Sequence, residues 1–184
     1  KRGAAFDPKN YCRTHLTTCL SKIAEKMIAF HLGPFLQKYA FGDNQWAFSK
    51  GLSARDLITM LVMNWILAIC SGKKIGAYLS DISGAFDRVF KPFLLAKLQS
   101  FGVGTIFLKF LDSYLSPRIG QVVVQGTFSD TFEIADSVFQ GTVLGPPLWN
   151  TFFSDVSAAA SSTGGRGQMF ADDLNVFQSF DTKE

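Results

Sequence analysis

Gln168 to Phe177 reads QMFADDLNVF, two apolar runs on either side of the adjacent carboxylates of Asp172 and Asp173. Met169, Phe170 and Ala171 before the acids, and Leu174, Val176 and Phe177 after them, have the period-2 potential of two short strands. A tight turn between those strands puts both carboxylates at its tip. Aspartate is also a common turn residue, because its side chain bonds its own backbone, and the doublet alone is better explained as a turn than as a catalyst. About ninety residues upstream, Lys74 to Ile82 (KIGAYLSDI) reads as a strand that delivers Asp81 at its end. If that strand and the hairpin are neighbours in one sheet, the acids converge. Hard oxygen ligands grouped in this way suit Mg²⁺, which is held by one or two carboxylates together with substrate phosphates. Two such ions about 3.5–4 Å apart can activate an attacking hydroxyl and stabilise a leaving oxygen in phosphoryl transfer. Taken singly, Asp81 is equally a turn residue before Ser83 and Gly84.

The elements that position these acids can be read in chain order. Lys1 to Asn10 is basic and turn-rich, the tail of a strand and a loop. From Leu20 the apolar residues Leu20, Ile23, Ala24, Met27, Ile28 and Leu32 fall at helical spacing, with Lys22, Glu25 and Lys26 opposite, Thr17 or Thr18 as cap, and a break at Gly33 and Pro34. A second helix opens at Ser53 and Asp56 in capping-box spacing, runs to about Cys70 and ends at Gly72. The strand that follows it is not strictly alternating, so both of its faces are expected to be covered. Helices are expected over Pro92 to Phe101 and Thr105 to Leu115, then strands at Gln121 to Gln125 and Phe132 to Val138 around a turn at Gly126 to Asp130. Phe139 to Pro147 (FQGTVLGPP) reads as a loop, Leu148 to Ala160 as a helix, and Ser161 to Gly167 as a flexible connector to the hairpin.

Composition narrows the function classes. A chain of 184 residues with 47% hydrophobic content can bury a core of its own, and its 19 phenylalanines are expected to supply much of it. A net charge of +3 allows a polyanionic partner but demands that any basic groove be local. Cys12, Cys19 and Cys70 lack the CxxC spacing of zinc or redox sites and read as reduced, buried thiols. The most apolar run, Leu57 to Cys70, is too short to span a bilayer and carries Asn64, which favours a buried helix and no membrane association. The absence of an initiating methionine and of a signal peptide is what a fragment of a longer intracellular protein would show.

Four stretches in fixed order carry a resemblance: Asn10 to Thr18 with Leu20 to Ile28, YLSDISGAFDRV at Tyr78 to Val89, SVFQGTVLGP at Ser137 to Pro146, and FADD at Phe170 to Asp173. Together they closely resemble the reverse transcriptase domain of non-LTR (LINE-like) retrotransposons. The resemblance implies an α/β (α+β) right-hand polymerase fragment: fingers over about residues 1–73, palm over 74–184, an antiparallel palm sheet backed by helices, and no thumb. It implies an RNA-directed DNA polymerase that takes an RNA template, a DNA primer and dNTPs. The cofactor would be two Mg²⁺ ions, with Mn²⁺ as a substitute. Asp81 and Asp172 then match the metal-binding aspartates, the Ile82 carbonyl is a further metal ligand, and Asp173 is a weaker participant. Phe86 stands where the family places its steric gate against a 2′-hydroxyl. Gln140 and Gly141 match the loop that lines the incoming nucleotide and template base, and Asp87 matches a residue that organises the site. Gln45 to Ser53 (QWAFSKGLS) looks like the family's QxGFRxGxS stretch, which lies toward the template. One position departs from the pattern. The family has Arg directly after the fingers Asn-Tyr, where this chain has Cys12, and Arg13 is the nearest substitute for contacting the triphosphate. The thumb and endonuclease of the parent polyprotein are the implied partners, and nucleus or cytoplasm the implied location. An inactive retroelement remnant and a group II intron or retron-type reverse transcriptase are the alternatives.

Overall fold

The computed structural model describes residues 14–42, 44–134 and 138–181. Cys12, Arg13 and the basic start at Lys1 and Arg2 lie outside the described residues. Helices α1 (Cys19–Tyr39) and α2 (Ala54–Cys70) precede strand β1 (Lys73–Ser80). After a 3-10 turn at Ala85–Arg88 come α3 (Lys91–Ser100) and α4 (Thr105–Tyr114). Four short strands follow, β2 (Arg118–Gly120), β3 (Val123–Val124), β4 (Thr127–Phe128) and β5 (Phe132–Ile134). The chain then forms α5 (Gly145–Phe153), α6 (Val156–Ser162) and the hairpin β6 (Arg166–Phe170) and β7 (Asp173–Asp181).

The central sheet is antiparallel with strand order β1-β7-β6. Its helical backing comes from α2 against β1 and α6 against β6. The principal core lies behind it, where Leu36 of α1, Leu94 and Leu98 of α3, Leu111 of α4, and Leu148 and Trp149 of α5 are at most 1% exposed. Each such side chain contributes about 1.5–3 kcal/mol by leaving water. Leucine, not phenylalanine, dominates this core: among the described residues the buried phenylalanines are Phe41, Phe139, Phe153 and Phe177. A smaller cluster of Leu57, Leu61 and Phe177 joins α2 to the sheet.

Helix starts follow the expected chemistry. Thr18 accepts the Ser21 N–H at α1, and Ser53 accepts the Asp56 N–H at α2. Gly72 and Gly102 end α2 and α3 with φ of +73° and +91°.

Several expectations are corrected. Helix α1 continues through Pro34, because the turn beyond it carries Leu36, and burying Leu32 and Leu36 offsets the lost backbone bond. Its buried face is Glu25, Leu32 and Leu36, while Leu20, Ile23, Met27 and Phe30 are exposed. Helix α2 is half-exposed, with Ile58, Ile66, Leu67 and Ile69 facing out, while Leu57, Leu61 and Trp65 pack toward the sheet and Asn64 accepts from Arg166 of β6. Strand β1 is an edge strand and mostly exposed, so neither face is fully covered. The short strands pair as two nested hairpins, β2 with β5 and β3 with β4. Gln125 and Gly126, both at positive φ, make the tight turn where a longer loop was expected. Pro146 and Pro147 belong to the first turn of α5, where a missing N–H costs nothing, and the following helix divides into α5 and α6. Thr163 to Gly165 is a short turn, with Gly164 at φ +81°. Cys19 and Cys70 are free and exposed, not buried.

Candidate active site at the end of the sheet

Strands β6 and β7 pair as far as Phe170 opposite Asp173, which leaves Ala171 and Asp172 as a two-residue turn. Ala171 takes φ +56°, the left-handed first position of a tight hairpin turn. On its other side β7 pairs with β1 as far as Leu174 opposite Ser80, so Asp81, the next residue, emerges beside Asp173. The structure therefore brings Asp81, Asp172 and Asp173 to one end of one sheet, as the two sequence patterns required. Asp81 and Asp173 are exposed and Asp172 is half-buried.

The electrostatics follow from that placement. Partial burial raises the Asp172 pKa above the usual carboxylate value, and the negative charges of Asp81 and Asp173 raise it further, against a lowering by its own backbone N–H. A carboxylate destabilised by its carboxylate neighbours is one that a divalent cation would relieve. The donors are hard oxygens, which fit Mg²⁺ or Mn²⁺. Among the described residues there is no group of three or more His, Cys, Asp or Glu that could hold a metal ion. Mg²⁺ at this end of the sheet would need waters and substrate phosphates besides the carboxylates. An open groove of about 480 Å³ borders it, lined by Leu57, Leu61, Trp65 and Phe170 as well as Asp81 and Asp173.

Ile82 follows Asp81 and packs its side chain against the principal core. Phe86, in the 3-10 turn, is half-buried, with its ring 5.6 Å from that of Trp149 and its carbonyl accepting the Val138 N–H at 3.3 Å. The Gln140 loop rests on the same patch: a Cβ on Gly145 would lie 3.6 Å from the Phe86 ring and 2.8 Å from the Phe139 carbonyl. The Gln140 carbonyl accepts the His15 N–H at 2.9 Å, and Gly141 at φ +96° passes close to Thr14 and His15. Phe86 and the Gln140 loop are thus brought together, and the chain from Asp81 to Phe86 ties them to the carboxylates. Asp87 is exposed in the 3-10 turn. Arg13 lies outside the described residues.

Two buried polar residues hold this assembly, and neither stood out by type. Glu25 is 2% exposed and accepts the N–H groups of Val143 at 2.6 Å and Leu144 at 3.3 Å, just ahead of α5. Beside it, burial pushes the Tyr114 phenol up to about 12, and the Glu25 charge adds to the effect against Thr142 and Arg118. The signal for Glu25 was present in its spacing from Leu32 and Leu36 on one helical face. Gln45 is the other, 3% exposed and bonded to the Ala171 backbone. It belongs to the stretch expected near the template, and nothing in its sequence context signals a contact with the hairpin.

An antiparallel sheet with acids at one end and helices behind it defines a polymerase palm. The fold is shared with telomerase from Candida albicans, solved in complex with a fragment of telomeric RNA, at a TM-score of 0.57 and 13% identity over 86% of this chain and 30% of that one. Residues 1–183 match the family described as reverse transcriptase (RNA-dependent DNA polymerase), and the chain belongs to that family. It is similar to the RNA-directed DNA polymerase of the mobile element jockey of Drosophila melanogaster, 34% identical over 82% of this chain. It is also 29% identical, over 81% of its length, to the probable RNA-directed DNA polymerase of transposon BS from the same organism. These likenesses group it with reverse transcriptase domains of non-LTR, LINE-like elements. The chain spans 16% of the length of each of these curated relatives.

Proposed function

We propose that this chain supplies the fingers and palm of an RNA-directed DNA polymerase, with α1 and α2 in the fingers and the sheet from β1 onward in the palm. The convergence of Asp81 and Asp172 at one end of the β1-β7-β6 sheet carries the reading. Asp81 and Asp172 would hold two Mg²⁺ ions, or Mn²⁺ in their place, with the Ile82 carbonyl as a further ligand and Asp173 in a lesser role. Bound there, the ions would supply activation of a primer 3′-hydroxyl and neutralisation of charge on the phosphates of the incoming dNTP. The protein's own part is positioning. The Asp81 and Asp172 carboxylates fix the reacting end of the sheet. The Phe86 ring, seated on Trp149, presents its free rim where a sugar 2′-hydroxyl would sit. Gln140 and Gly141 line the nucleotide and template base, and Arg13 takes the triphosphate in place of the arginine that Cys12 replaces.

The relatives' names support an RNA template and a mobile element as the setting. The remaining partners follow as proposals: a DNA primer, a thumb and an endonuclease on the parent polyprotein, and residence in the nucleus or cytoplasm. Among the described residues no helix is long and apolar enough to cross a membrane. Primer extension on an RNA template with Mg²⁺ and dNTPs tests the reading, using this chain and a version joined to the C-terminal remainder of a relative. The expected result is extension that falls at least about a hundredfold in Asp172→Asn and Asp81→Asn, the loss expected when a metal ligand of a transferring phosphate is removed. No Asp172-dependent product from either form would overturn it in favour of an inactive remnant.

A further inference from the structure

The buried amide of Gln45 bonds both backbone polar groups of one residue of the hairpin turn, Ala171. Its Oε1 accepts the Ala171 N–H at 3.0 Å, and its Nε2 donates to the Ala171 carbonyl at 3.2 Å. The same Oε1 accepts the Ala47 N–H at 3.0 Å, which fixes the amide within its own segment. That segment is laced onto β6: Met169 N–H donates to the Asn44 carbonyl at 2.8 Å and Trp46 N–H to the Met169 carbonyl at 2.9 Å. The indole of Trp46 donates to Gln168 Oε1 at 2.7 Å, and Asn150 Nδ2 holds the Ala47 carbonyl at 2.9 Å. Gln45 is therefore a rigid arm, reaching from a bridge on the outer strand to the turn.

The residue it grips is the one that needs gripping. Ala171 sits at φ +56°, a conformation a β-carbon disfavours and glycine takes freely. Asp172 is next in the chain, so the torsions of Ala171 set the direction of the Asp172 carboxylate. A primary amide is the side chain that offers a donor and an acceptor together to one residue's C=O and N–H. Glutamate in its place presents only acceptors, and methionine of similar length presents neither at useful strength.

We infer that Gln45 is a positioning residue for Asp172: it holds Ala171 in the left-handed conformation and so aims the Asp172 carboxylate toward Asp81. The inference rests on the reading of Asp81 and Asp172 as the metal-binding pair.

The test uses this chain and Mn²⁺ alone, with affinity read from the electron paramagnetic resonance signal of free ion and the Ala171 amide followed by hydrogen exchange. In Gln45→Met the Ala171 amide should exchange at least tenfold faster and Mn²⁺ affinity should fall at least fivefold. Adding Ala171→Gly to Gln45→Met should recover most of that affinity, because glycine favours the first position of such a turn without a brace. A role confined to core packing would not be repaired by removing a methyl group from the turn. Should Gln45→Met not fold, Gln45→Glu, whose carboxylate still accepts the Ala171 and Ala47 N–H groups but cannot donate to the Ala171 carbonyl, is held to the affinity loss and its recovery with glycine. Wild-type Mn²⁺ affinity in the folded variant, or no recovery with glycine, overturns the inference. Asp172→Asn separates the two claims: if it binds Mn²⁺ as tightly as wild type, the metal-pair reading fails, while the Ala171 exchange rate still reports on the brace.

Discussion

The Glu25 carboxylate accepts the Val143 N–H at 2.6 Å, joining α1 to the loop that enters α5 across 118 residues of chain. With Leu144 also donating to it, the carboxylate satisfies two backbone groups at a helix N-terminus, where a negative charge is favoured. Glu25→Ala strands both N–H groups in the core and should cost about 3 kcal/mol, near 10 °C in Tm for a chain of this length. Glu25→Gln keeps an acceptor and removes a buried charge, and should stay within a few degrees of wild type, about 1 kcal/mol. Calorimetry measures both, and faster exchange at the Val143 and Leu144 amides in the alanine variant would locate the loss. The same loosening reaches Gln140, so the alanine variant should also show a raised KM for dNTP.

Asp172 makes a pH-dependent cost of its own. Its folded pKa is raised above the unfolded value by partial burial and by Asp81 and Asp173, so the folded state binds its proton the more tightly. The protonated form favours folding below the unfolded carboxylate pKa, and that favour is lost as pH rises through the higher folded value. At neutral pH, Asp172→Asn should therefore raise Tm. At acid pH, below the unfolded value, the gain should vanish. Mg²⁺ should reverse the order at neutral pH by stabilising the wild type and not the variant. Melting curves at two pH values, with and without Mg²⁺, decide this. A variant less stable than wild type at neutral pH without metal would show that Asp172 is not held at a cost.

Local chemistry made much of this architecture legible. The caps at Thr18 and Ser53, the glycines at 72 and 102, and the period-2 runs around Asp172 each specify an element from a few adjacent residues. The order of the acidic and glycine-bearing stretches then specified the sheet end at which Asp81 and Asp172 meet. Buried faces were harder to read. Leu20, Ile23 and Met27 form as good an apolar stripe as the one that α1 buries, and only the position of α5 decides that Glu25 faces inward. The contact of Gln45 with Ala171 spans 126 residues, and no periodicity in the sequence connects them. Pro34 reads as a stop because its local cost is plain in sequence, whereas the compensating burial of Leu36 is tertiary.

Gly141 has two independent reasons to be glycine. Its φ of +96° is strained for any side chain, and a Cβ there would meet Thr14 Cγ2 at 3.0 Å and the His15 carbonyl at 3.1 Å. The second contact is backbone, which cannot swing aside as a flexible side chain would. Gly141→Ala should cost about 1–3 kcal/mol. The strain should appear as a displaced Gln140, whose carbonyl is bonded to His15. In primer extension the expected signature is a KM for dNTP raised at least about fivefold, some 1 kcal/mol of lost binding, with a smaller change in kcat. An unchanged KM with lowered Tm would mean that the loop is a structural element only.

Phe86 is fixed on one side and free on the other. Its ring leans on Trp149 at 5.6 Å and its carbonyl receives the Val138 N–H, which seats the residue against the core. Phe86→Val shortens the side chain while keeping an apolar anchor on the core. The fold should lose about 1–2 kcal/mol, less than the 3–5 typical of a fully buried phenylalanine, because the ring is half-exposed. Incorporation of ribonucleotides should rise at least about tenfold relative to deoxynucleotides, a difference of 1.4 kcal/mol between the two transition states. Single-nucleotide addition with matched rNTP and dNTP measures that ratio directly. A ratio unchanged in a folded, active Phe86→Val chain removes Phe86 from sugar selection and leaves its ring as packing for Trp149.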